Sequence, residues 1–342
     1  MKALFIGGTG TISRAITEQL SKNSEWELYV LNRGSHNEDL PENVHCIVAD
    51  VNNEEEVTKK LEGMSFDVVC DFIGFVPQQL ERDYRLFHNK TRQFMYISSA
   101  SAYQKPLANY NVCESTTLAN PFWEYSRNKI ACEEYLMKMY RENSFPITII
   151  RPSHTYDERS VPLGVHGNKG SWQVIKRMLD GKPVIIHGDG NTLWTMTHNS
   201  DFAKGFIGLM GNIHAIGETF QITSDETLTW NQIYQSIADC LNVELKPYYV
   251  SSSFLASVSD YDFTGSLIGD KAVSVVFDNR KLKKFVPDFR PTVRFDQGIK
   301  QTIDYVMSNK EYQIEDIEFD NWCDKVVNEL EEAKRRIINP EK

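Results

Sequence analysis

Long apolar runs are absent from this sequence. No stretch approaches the roughly 18 uninterrupted apolar residues of a membrane-spanning helix, so we expect no membrane span. The first apolar stretch, Lys2–Ile6, leads directly into a glycine-rich segment and is too short for a signal peptide, so we interpret it as a buried strand. Low-complexity tracts are also missing, and 41% apolar residues exclude a disordered chain.

Positive charge is scarce as well. The 342 residues include 37 Lys and Arg against 47 Asp and Glu, which gives a net charge of −10 with neutral histidine. This excess of negative charge repels phosphate backbones and argues against a nucleic-acid binder. We therefore expect a small-molecule substrate and no nucleic-acid or membrane partner.

Paired cysteines are the third absence. The six cysteines lie far apart and form no Cys-x-x-Cys pair, which is typical of reduced thiols in a cytoplasmic protein. The nearest approach to a set of metal ligands is His187, His198 and Asp201. Their surroundings indicate strand ends and a helix N-cap, so we predict no metal site.

A regular alternation of two kinds of segment is present over the first 150 residues. Short apolar runs lie at Lys2–Ile6, Glu27–Leu31, His45–Ala49, Phe66–Phe72, Phe94–Ser98 and Pro146–Ile150. Amphipathic stretches separate them, including Thr11–Ser21, Asn53–Glu62, Pro77–Phe87 and Glu124–Arg141. Buried runs alternating with helices predict an α/β fold with a doubly wound parallel sheet and a ligand crevice at the carboxyl ends of its strands.

A glycine turn follows the first predicted strand, in the segment Gly7-Gly8-Thr9-Gly10-Thr11-Ile12-Ser13. Gly7 permits a tight turn, Gly10 lets a pyrophosphate approach the backbone, and the helix N-terminus supplies amide donors and a positive dipole end. Ser13 stands where the pattern has its third glycine, and it is small enough for close packing. We predict a dinucleotide site whose pyrophosphate is held by Gly7, Gly10, Thr11, Ile12 and Ser13.

The adenosine end of this site is expected at the next two strands. An NAD site usually has an acid at the end of the second strand, whereas a nearby Arg takes a 2′-phosphate. Asn32 replaces the acid here and Arg33 follows, which favours NADP over NAD; alternatively Arg33 stacks on adenine or faces solvent. Asp50 and Val51 close the third strand, where Asp50 either accepts from the adenine amino group or caps the helix starting near Asn53.

After Arg151 the alternation loosens, and the loops contain more Gly, Pro and Ser. We predict a dinucleotide-binding domain of residues 1–153 plus about 195–215. A smaller, mixed α/β substrate lobe is expected to contain about 154–194 and 216–342.

Two further segments contain the residues that we predict to take part in the reaction. The fifth strand breaks into a serine-rich loop, and Tyr125 and Lys129 lie four residues apart, so both project from one helix face. A neighbouring ammonium favours the phenolate and lowers the pKa of a phenol from about 10. Tyr125 can then exchange a proton with a substrate hydroxyl while a nicotinamide exchanges a hydride with its carbon. A serine at the strand end can hydrogen-bond the same oxygen.

These motifs resemble the extended short-chain dehydrogenase/reductase superfamily, in its NAD-dependent epimerase/dehydratase branch, as an atypical member. The resemblance covers nearly the whole chain and rests on Gly7–Ser13, Ala49-Asp50, Ile97–Tyr103, Tyr125–Lys129, Arg151-Pro152, Gly188-Asp189-Gly190 and His198–Phe202. It implies a Rossmann fold, with Ser99 as catalytic serine, Tyr125 as general acid/base and Lys129 as the lysine that also holds the nicotinamide ribose. Further cofactor contacts are implied for Phe72, Ile73, Gly74, Pro152 and Ser153.

Departures from the family narrow the expected reaction. Ala100 and Ser101 stand where the sugar-nucleotide dehydratases have an Asp-Glu pair, which disfavours dehydration. The epimerases usually place Asn where His154 stands, and Arg, which binds the substrate diphosphate, where Trp194 stands. Trp194 cannot offer a guanidinium, but it can stack on a base or sugar, or be a core aromatic. His154 either donates to substrate oxygens or bonds the loop backbone.

We predict an NAD(P)-dependent oxidoreductase acting on a secondary alcohol or carbonyl of a sugar or sugar derivative, with an epimerase preferred to a net reductase. The segments Leu193-Trp194-Thr195 and His198-Asn199-Ser200-Asp201 resemble the chloroplast stem-loop RNA-binding proteins. The alternative is therefore a non-catalytic dinucleotide- or RNA-binding protein on the same fold. The presence of Ser99, Tyr125 and Lys129 favours an enzyme. Members of the superfamily that this chain resembles often dimerise through two helices per subunit, and the resemblance implies Pro77–Phe87 and Glu124–Arg141 as the candidate homodimer helices.

Overall fold

Strands and helices alternate along the chain in the computed structural model, which describes residues 1–35 and 37–339. The strands are β1 (Lys2–Ile6), β2 (Glu27–Asn32), β3 (His45–Val48), β4 (Val68–Asp71), β5 (Phe94–Ile97), β6 (Asn111–Val112), β7 (Ile147–Pro152), β8 (His154–Tyr156), β9 (Val184–His187), β10 (Leu193–Trp194), β11 (Met196–His198), β12 (Thr219–Ile222), β13 (Leu228–Thr229), β14 (Pro247–Val250) and β15 (Val276–Phe277). The α-helices are α1 (Thr11–Ser21), α2 (Glu54–Lys60), α3 (Pro77–Phe87), α4 (Glu124–Asn143), α5 (Trp172–Leu179), α6 (Asn199–Leu209), α7 (Trp230–Leu241), α8 (Ser252–Ser257), α9 (Arg280–Phe285), α10 (Phe295–Ser308) and α11 (Ile317–Ile338).

The main sheet confirms the predicted fold class. Its seven strands lie in the order β12-β7-β5-β4-β1-β2-β3, and every neighbouring pair is parallel. The chain runs outward from β1 through β2 and β3, then returns to the other side of β1 for β4. This reversal places a crevice at the carboxyl ends of β1 and β4, which is where ligands bind in such sheets.

Helices cover both faces of this sheet, because successive side chains of its central strands are buried on opposite faces. Ala3 and Phe5 of β1 belong to a core cluster with residues of α1 and α6. Leu4 and Ile6 belong to a second cluster with residues of α2, α3 and α4. Successive strand residues point to opposite faces, so a strand that is apolar at every position needs a helical layer on each side.

The chain separates into two units. The first is Met1–Tyr156, Thr195–Glu226 and Val276–Val293, and the second contains 157–194, 227–275 and the residues from Arg294 onward. The first unit extends beyond the predicted dinucleotide-binding domain at 154–156, 216–226 and 276–293. The physical reason is β12, whose buried Phe220 and Ile222 complete a core cluster of the main sheet.

The second unit has its own aromatic core. In it, β9 pairs in parallel with β14, and Trp230 of α7 stacks on Trp194 with ring centres 5.7 Å apart. A π-helical segment, Thr264–Lys271, precedes α9 and α10.

None of the helices in the described part of the chain combines the length and apolar character required to cross a membrane. All six cysteines lie in that part, and each is a free thiol.

Candidate active site

Two adjoining cavities open at the carboxyl ends of the sheet strands. The β5-side cavity, of about 540 Å³, is lined by residues that follow β1, β4, β5 and β7 together with residues of α1 and α4. The β2-side cavity, of about 400 Å³, is lined by residues that follow β1, β2, β3 and β4. The two share Gly7, Thr9, Ile73 and Phe75, so together they form one elongated crevice.

Most of the predicted site residues meet at this crevice. The β5-side cavity is lined by Gly7, Gly10, Thr11, Ile12, Ser13, Phe72, Ile73, Ser99, Tyr125, Lys129, Pro152, Ser153 and His154. The β2-side cavity is lined by Asn32, Arg33, Asp50 and Val51. Gly74 lies behind the cavity wall, where its carbonyl oxygen accepts hydrogen bonds from the Lys129 ammonium and the Tyr96 hydroxyl.

The glycine turn is a preformed cradle. Gly7 has φ +76°, and a Cβ there would lie 2.8 Å from the Ile73 Cγ2 atom. Gly10 is extended and precedes α1, and a Cβ there would meet only the Ser13 hydroxyl at 3.6 Å, which leaves room for a ligand. The Ser13 hydroxyl accepts a hydrogen bond from the Gly10 amide at 3.0 Å. Ser13 thus closes the turn from within, and α1 presents its N-terminal amides to the cavity.

At the predicted adenosine end, Arg33 and Asp50 are exposed and Asn32 is half-buried. The Asn32 carboxamide is used inside its own loop, where it accepts from the Gly34 amide at 2.9 Å and donates to Asn37 at 2.8 Å. The Arg33 side chain is exposed at the β2-side cavity. Asp50 accepts from the Asn52 amide at 2.9 Å, whereas α2 is capped by Asn53. The interpretation of Asp50 as the cap of α2 is therefore wrong.

Lys129 is held deep in the β5-side wall. It is 2% exposed, and its ammonium donates to the carbonyls of Gly74 at 2.6 Å and Ile97 at 2.7 Å. Burial lowers the pKa of Lys129 to about 8, against the opposing effect of the Asp71 carboxylate. Its Nζ lies 5.8 Å from the centre of the Tyr125 ring. The lysine therefore joins the ends of β4 and β5 to α4 and brings a cation beside the phenol.

A chain of hydroxyls connects Ser99 to the same helix. The Ser99 and Ser101 hydroxyl oxygens are 2.9 Å apart, and the Ser126 hydroxyl donates to Ser101 at 2.8 Å. Sequence reasoning missed Ser126 and considered Ser101 only as the replacement of an acid. The available signal was a serine next to Tyr125 on the inward face of α4, where a buried hydroxyl needs a partner.

The end of β7 brings unpartnered polar atoms to the cavity. Within the described ranges, the side-chain oxygens of Ser153 and Thr155 are buried and have no hydrogen-bond partner. Both residues line the β5-side cavity beside His154. Buried polar atoms without partners are costly, so this wall suits a ligand with polar groups such as a carboxamide. Together with the glycine cradle, it fits a nicotinamide dinucleotide.

A buried ion pair supports the site from behind. Glu133 of α4 receives two hydrogen bonds from the Arg151 guanidinium, at 2.9 and 2.6 Å, and a third from the Ser98 hydroxyl. Arg151 and Glu133 are each less than a tenth exposed. This pair fixes α4 against the ends of β5 and β7. The sequence analysis identified Arg151 only through the Arg151-Pro152 motif and did not identify the pair, because Glu133 lies 18 positions away.

Trp194 lies in a different environment from the one expected for a substrate contact. It belongs to the second unit, is 2% exposed, and stacks on Trp230. It lines neither of the two cavities. The structure thus places Trp194 in an aromatic core, which is the alternative interpretation, and a substrate contact of Trp194 has no support from this position.

Comparison with known proteins identifies the family. A model of the NAD dependent epimerase/dehydratase family matches residues 3–223. The 2′-dehydrokanamycin reductase of Streptomyces kanamyceticus is 22% identical over 291 residues, which cover 85% of this chain and 80% of that protein. An uncharacterized UDP-glucose epimerase of Bacillus subtilis (strain 168), YtcB, is 31% identical over 148 residues, which cover 43% of this chain and 44% of that protein.

Among solved structures, the UDP-glucuronic acid 4-epimerase from Bacillus cereus in complex with NAD has the same fold. The TM-score is 0.70 at 20% identity, covering 90% of this chain and 97% of that chain. The family match spans well over half of the 342 residues and contains both the glycine turn and the Tyr125–Lys129 pair. The chain therefore belongs to the NAD dependent epimerase/dehydratase family.

Proposed function

We propose that this protein is an NAD(P)-dependent enzyme that interconverts a secondary alcohol and a carbonyl on a sugar or sugar derivative. The observation that carries the proposal is that Tyr125, Lys129 and Ser99 line the same cavity as the glycine turn. Proton-transfer groups and the cradle of a dinucleotide then face one ligand space. The names of the relatives, a 2′-dehydrokanamycin reductase and an uncharacterized UDP-glucose epimerase, support this class of substrate.

The proposed roles follow from charge and position. A bound nicotinamide supplies hydride chemistry. The Tyr125 phenol moves the proton of the substrate hydroxyl, and the Lys129 ammonium beside it favours the phenolate. The Ser99 hydroxyl, oriented by Ser101, hydrogen-bonds the same substrate oxygen and stabilises its developing charge. The unpartnered Ser153 hydroxyl is suited to the cofactor carboxamide, and His154 to oxygens of the substrate.

Epimerisation is the preferred reaction, because the β5-side cavity has groups for a transient oxidation and, among the described residues, no Asp or Glu lines it to eliminate water. Ala100 is apolar, and the Ser101 hydroxyl is already bonded within the chain to Ser99 and Ser126. Net reduction is the second candidate, favoured by one observation. The exposed Arg33 at the β2-side cavity is suited to the 2′-phosphate of NADP, the usual cofactor of reductive chemistry.

The test begins with cofactor binding. The purified protein is titrated with NADH and NADPH by fluorescence, and then incubated with nucleotide sugars and with free and glycosidic sugar ketones. Epimerisation appears as a new sugar isomer without net cofactor consumption, whereas reduction consumes the reduced cofactor. Absence of nicotinamide binding would contradict the whole proposal. Binding without turnover, combined with retention of RNA at physiological salt, would favour the non-catalytic alternative.

The proposed homodimer uses α3 and α4. Both helices cover the same face of the sheet in the first unit, where they contribute to one core cluster. A pair of neighbouring helices on each subunit can form a four-helix bundle. Light scattering at several concentrations measures this directly, and a mass equal to one 39.4 kDa chain throughout would contradict it.

A further inference from the structure

Two carboxyl groups lie in contact behind the site, in the interior of the first unit. Asp71 ends β4, Asp83 lies in α3, and both are completely buried. The two carboxyls are within hydrogen-bonding reach of each other, and no other group of residues 1–35 and 37–339 bonds to the Oδ2 atom of either one. Two ionised carboxylates have only acceptor oxygens, so this contact is favourable only when one of them carries a proton.

The neighbouring charges fit a pair with one proton. The Arg82 Nε atom donates to Asp83 Oδ1 at 2.8 Å, Nη2 lies 2.7 Å from the same oxygen, and Nη1 donates to Asn52 at 2.7 Å. Arg82 therefore balances a single negative charge. It occupies one oxygen of Asp83 and leaves the other for Asp71. Burial beside Asp71 raises the pKa of Asp83 well above its usual range, against the opposing effect of Arg82.

The remaining titratable groups around Asp71 come from three elements. They are Cys70 on β4, Tyr96 on β5, and Lys129 and Cys132 on α4. Burial raises the pKa values of the two thiols and the phenol, so these groups are neutral around pH 7. Lys129 is then the one cation that faces Asp71 from α4 in the described part of the chain, and its hydrogen bonds go to backbone carbonyls.

Asp71 also determines the position of a carbonyl that holds Lys129. Its Oδ1 atom accepts a hydrogen bond from the Ile73 amide at 2.8 Å. Its Oδ2 atom occupies the space beside Gly74, where an added Cβ would be 2.2 Å away. The Gly74 carbonyl oxygen in turn receives the Lys129 ammonium at 2.6 Å. A displacement of Asp71 must therefore move the turn that holds the lysine.

We propose that Asp71 and Asp83 share one proton, and that this acid pair is a positioning element that fixes the Ile73–Gly74 turn and, through it, Lys129. The shared proton keeps the two carboxyls together, and Arg82 balances their remaining charge. The ammonium of Lys129 is thus left without a neutralising ion pair and acts on Tyr125. The second part of this proposal rests on the proposed function, whereas the shared proton does not.

The shared proton is tested by infrared spectroscopy of the whole protein. At neutral pH the wild type is expected to show the carbonyl stretch of a neutral, buried carboxylic acid, and this band is expected to be lost in Asp83→Asn and in Asp71→Asn. Absence of the band in the wild type, or its retention in both variants, would overturn the proposal. The measurement needs no substrate, so its outcome is independent of the proposed function.

The positioning role is tested by comparing Asp83→Asn with Asp83→Leu. An Asn amide can donate to Asp71 and keeps the charge of the pair, whereas Leu leaves the Asp71 oxygen without a donor. We expect Asp83→Leu to lower turnover by at least about tenfold, equivalent to ~1.4 kcal/mol of lost interaction, and Asp83→Asn to restore most of that loss. Equal loss in both variants would contradict the role of the shared proton.

Stability gives a third measurement if Asp83→Leu fails to fold. A shared proton makes the folded state bind one more proton than the unfolded state above the usual pKa of Asp. Relative to Asp83→Asn, the free energy of unfolding of the wild type should therefore decline with rising pH over that range. Identical pH dependence in the two proteins would overturn the proposal.

Discussion

The two cavities of the crevice differ in how their polar groups are held. On the β5 side, Lys129 is buried and bonded to two carbonyls, and Ser99 belongs to a chain of hydroxyls. On the β2 side, Arg33 and Asp50 are exposed, with their positions set by loops. Proton transfer needs a fixed geometry, whereas binding of an adenosine tolerates adaptable side chains. Substitutions on the β5 side should therefore affect the chemistry, and those on the β2 side should affect cofactor choice.

The largest effect is expected from Tyr125→Phe, which removes the proton-transferring hydroxyl and keeps the ring. Turnover should fall by about 10³-fold, within the range of general acid–base catalysis, while cofactor affinity stays within about twofold. Steady-state kinetics and a fluorescence titration measure the two quantities. Tyr110→Phe is the control, because Tyr110 is 62% exposed and lines neither cavity. Unchanged turnover in Tyr125→Phe would contradict the assignment of the chemistry to the β5-side cavity.

The next effect concerns Lys129→Met, which keeps an apolar stem and removes the cation. We expect turnover to fall by about 10²-fold, since the phenol loses the neighbouring charge. In the wild type, turnover should decline as the pH rises through about 8, where Lys129 loses its proton. A pH–rate profile without an alkaline decline near that value would contradict this role.

The burial of Lys129 also predicts how the free energy of unfolding changes with pH. Its pKa falls from 10.5 to about 8 on folding, so between these values the unfolded state binds more protons. The free energy of unfolding of the wild type, relative to Lys129→Met, should thus rise with pH across this window. The rise should be roughly 3 kcal/mol, from about 2.5 pKa units at ~1.36 kcal/mol each. Denaturant unfolding at pH 7 and 10 measures it, and a falling difference would contradict the burial of a charged lysine.

A smaller effect is expected where the two cavities meet. Gly7→Ala places a Cβ 2.8 Å from Ile73 at φ +76°, and should weaken cofactor binding by roughly 10- to 100-fold, since ~1.4 kcal/mol corresponds to tenfold. Gly63→Ala is a matched control, because Gly63 has φ +72° and nothing within 4 Å of an added Cβ. The control shares the backbone strain and lacks the contact. Equal cofactor affinity in the two variants would contradict the cradle.

The smallest effect is expected for a substitution at the β2-side cavity, on the affinity for NADPH. Arg33→Ala should lower NADPH affinity by roughly tenfold, as expected for one lost charge-assisted hydrogen bond, and leave NADH affinity and stability nearly unchanged. Arg92→Ala is the control, because the Arg92 side chain is 86% exposed and pairs with Asp67 outside both cavities. If Arg33→Ala weakens both cofactors equally, Arg33 does not recognise the 2′-phosphate.

Local sequence patterns were sufficient to predict the main strands and helices in the first half of the chain. The apolar run Lys2–Ile6 is β1 and the amphipathic stretch Pro77–Phe87 is α3, each with the predicted bounds. Strands buried on both faces are apolar throughout, and helices repeat every 3.6 residues, so both signals can be found within a dozen residues. The glycine turn and the Tyr125–Lys129 spacing are local in the same sense.

Contacts between distant segments could not be predicted from the periodicity of any short segment. Strand β12 is four residues long, and only its pairing with β7 assigns it to the main sheet. Trp194 could not be distinguished from a substrate contact until its stacking on Trp230 was known. The Ser126 hydroxyl is bonded to a residue 25 positions away. Each of these features depends on a partner that the neighbouring sequence does not specify.

The amino-acid order by itself therefore determined the class of sheet, the glycine cradle and the presence of a phenol and an amine on one helix face, because each arises from the periodicity of a short segment. Only the tertiary structure decided that Lys129 is held by the carbonyls of Gly74 and Ile97, and that Asp71 meets Asp83. Those contacts form when buried polar groups from separate elements must satisfy one another in the absence of water.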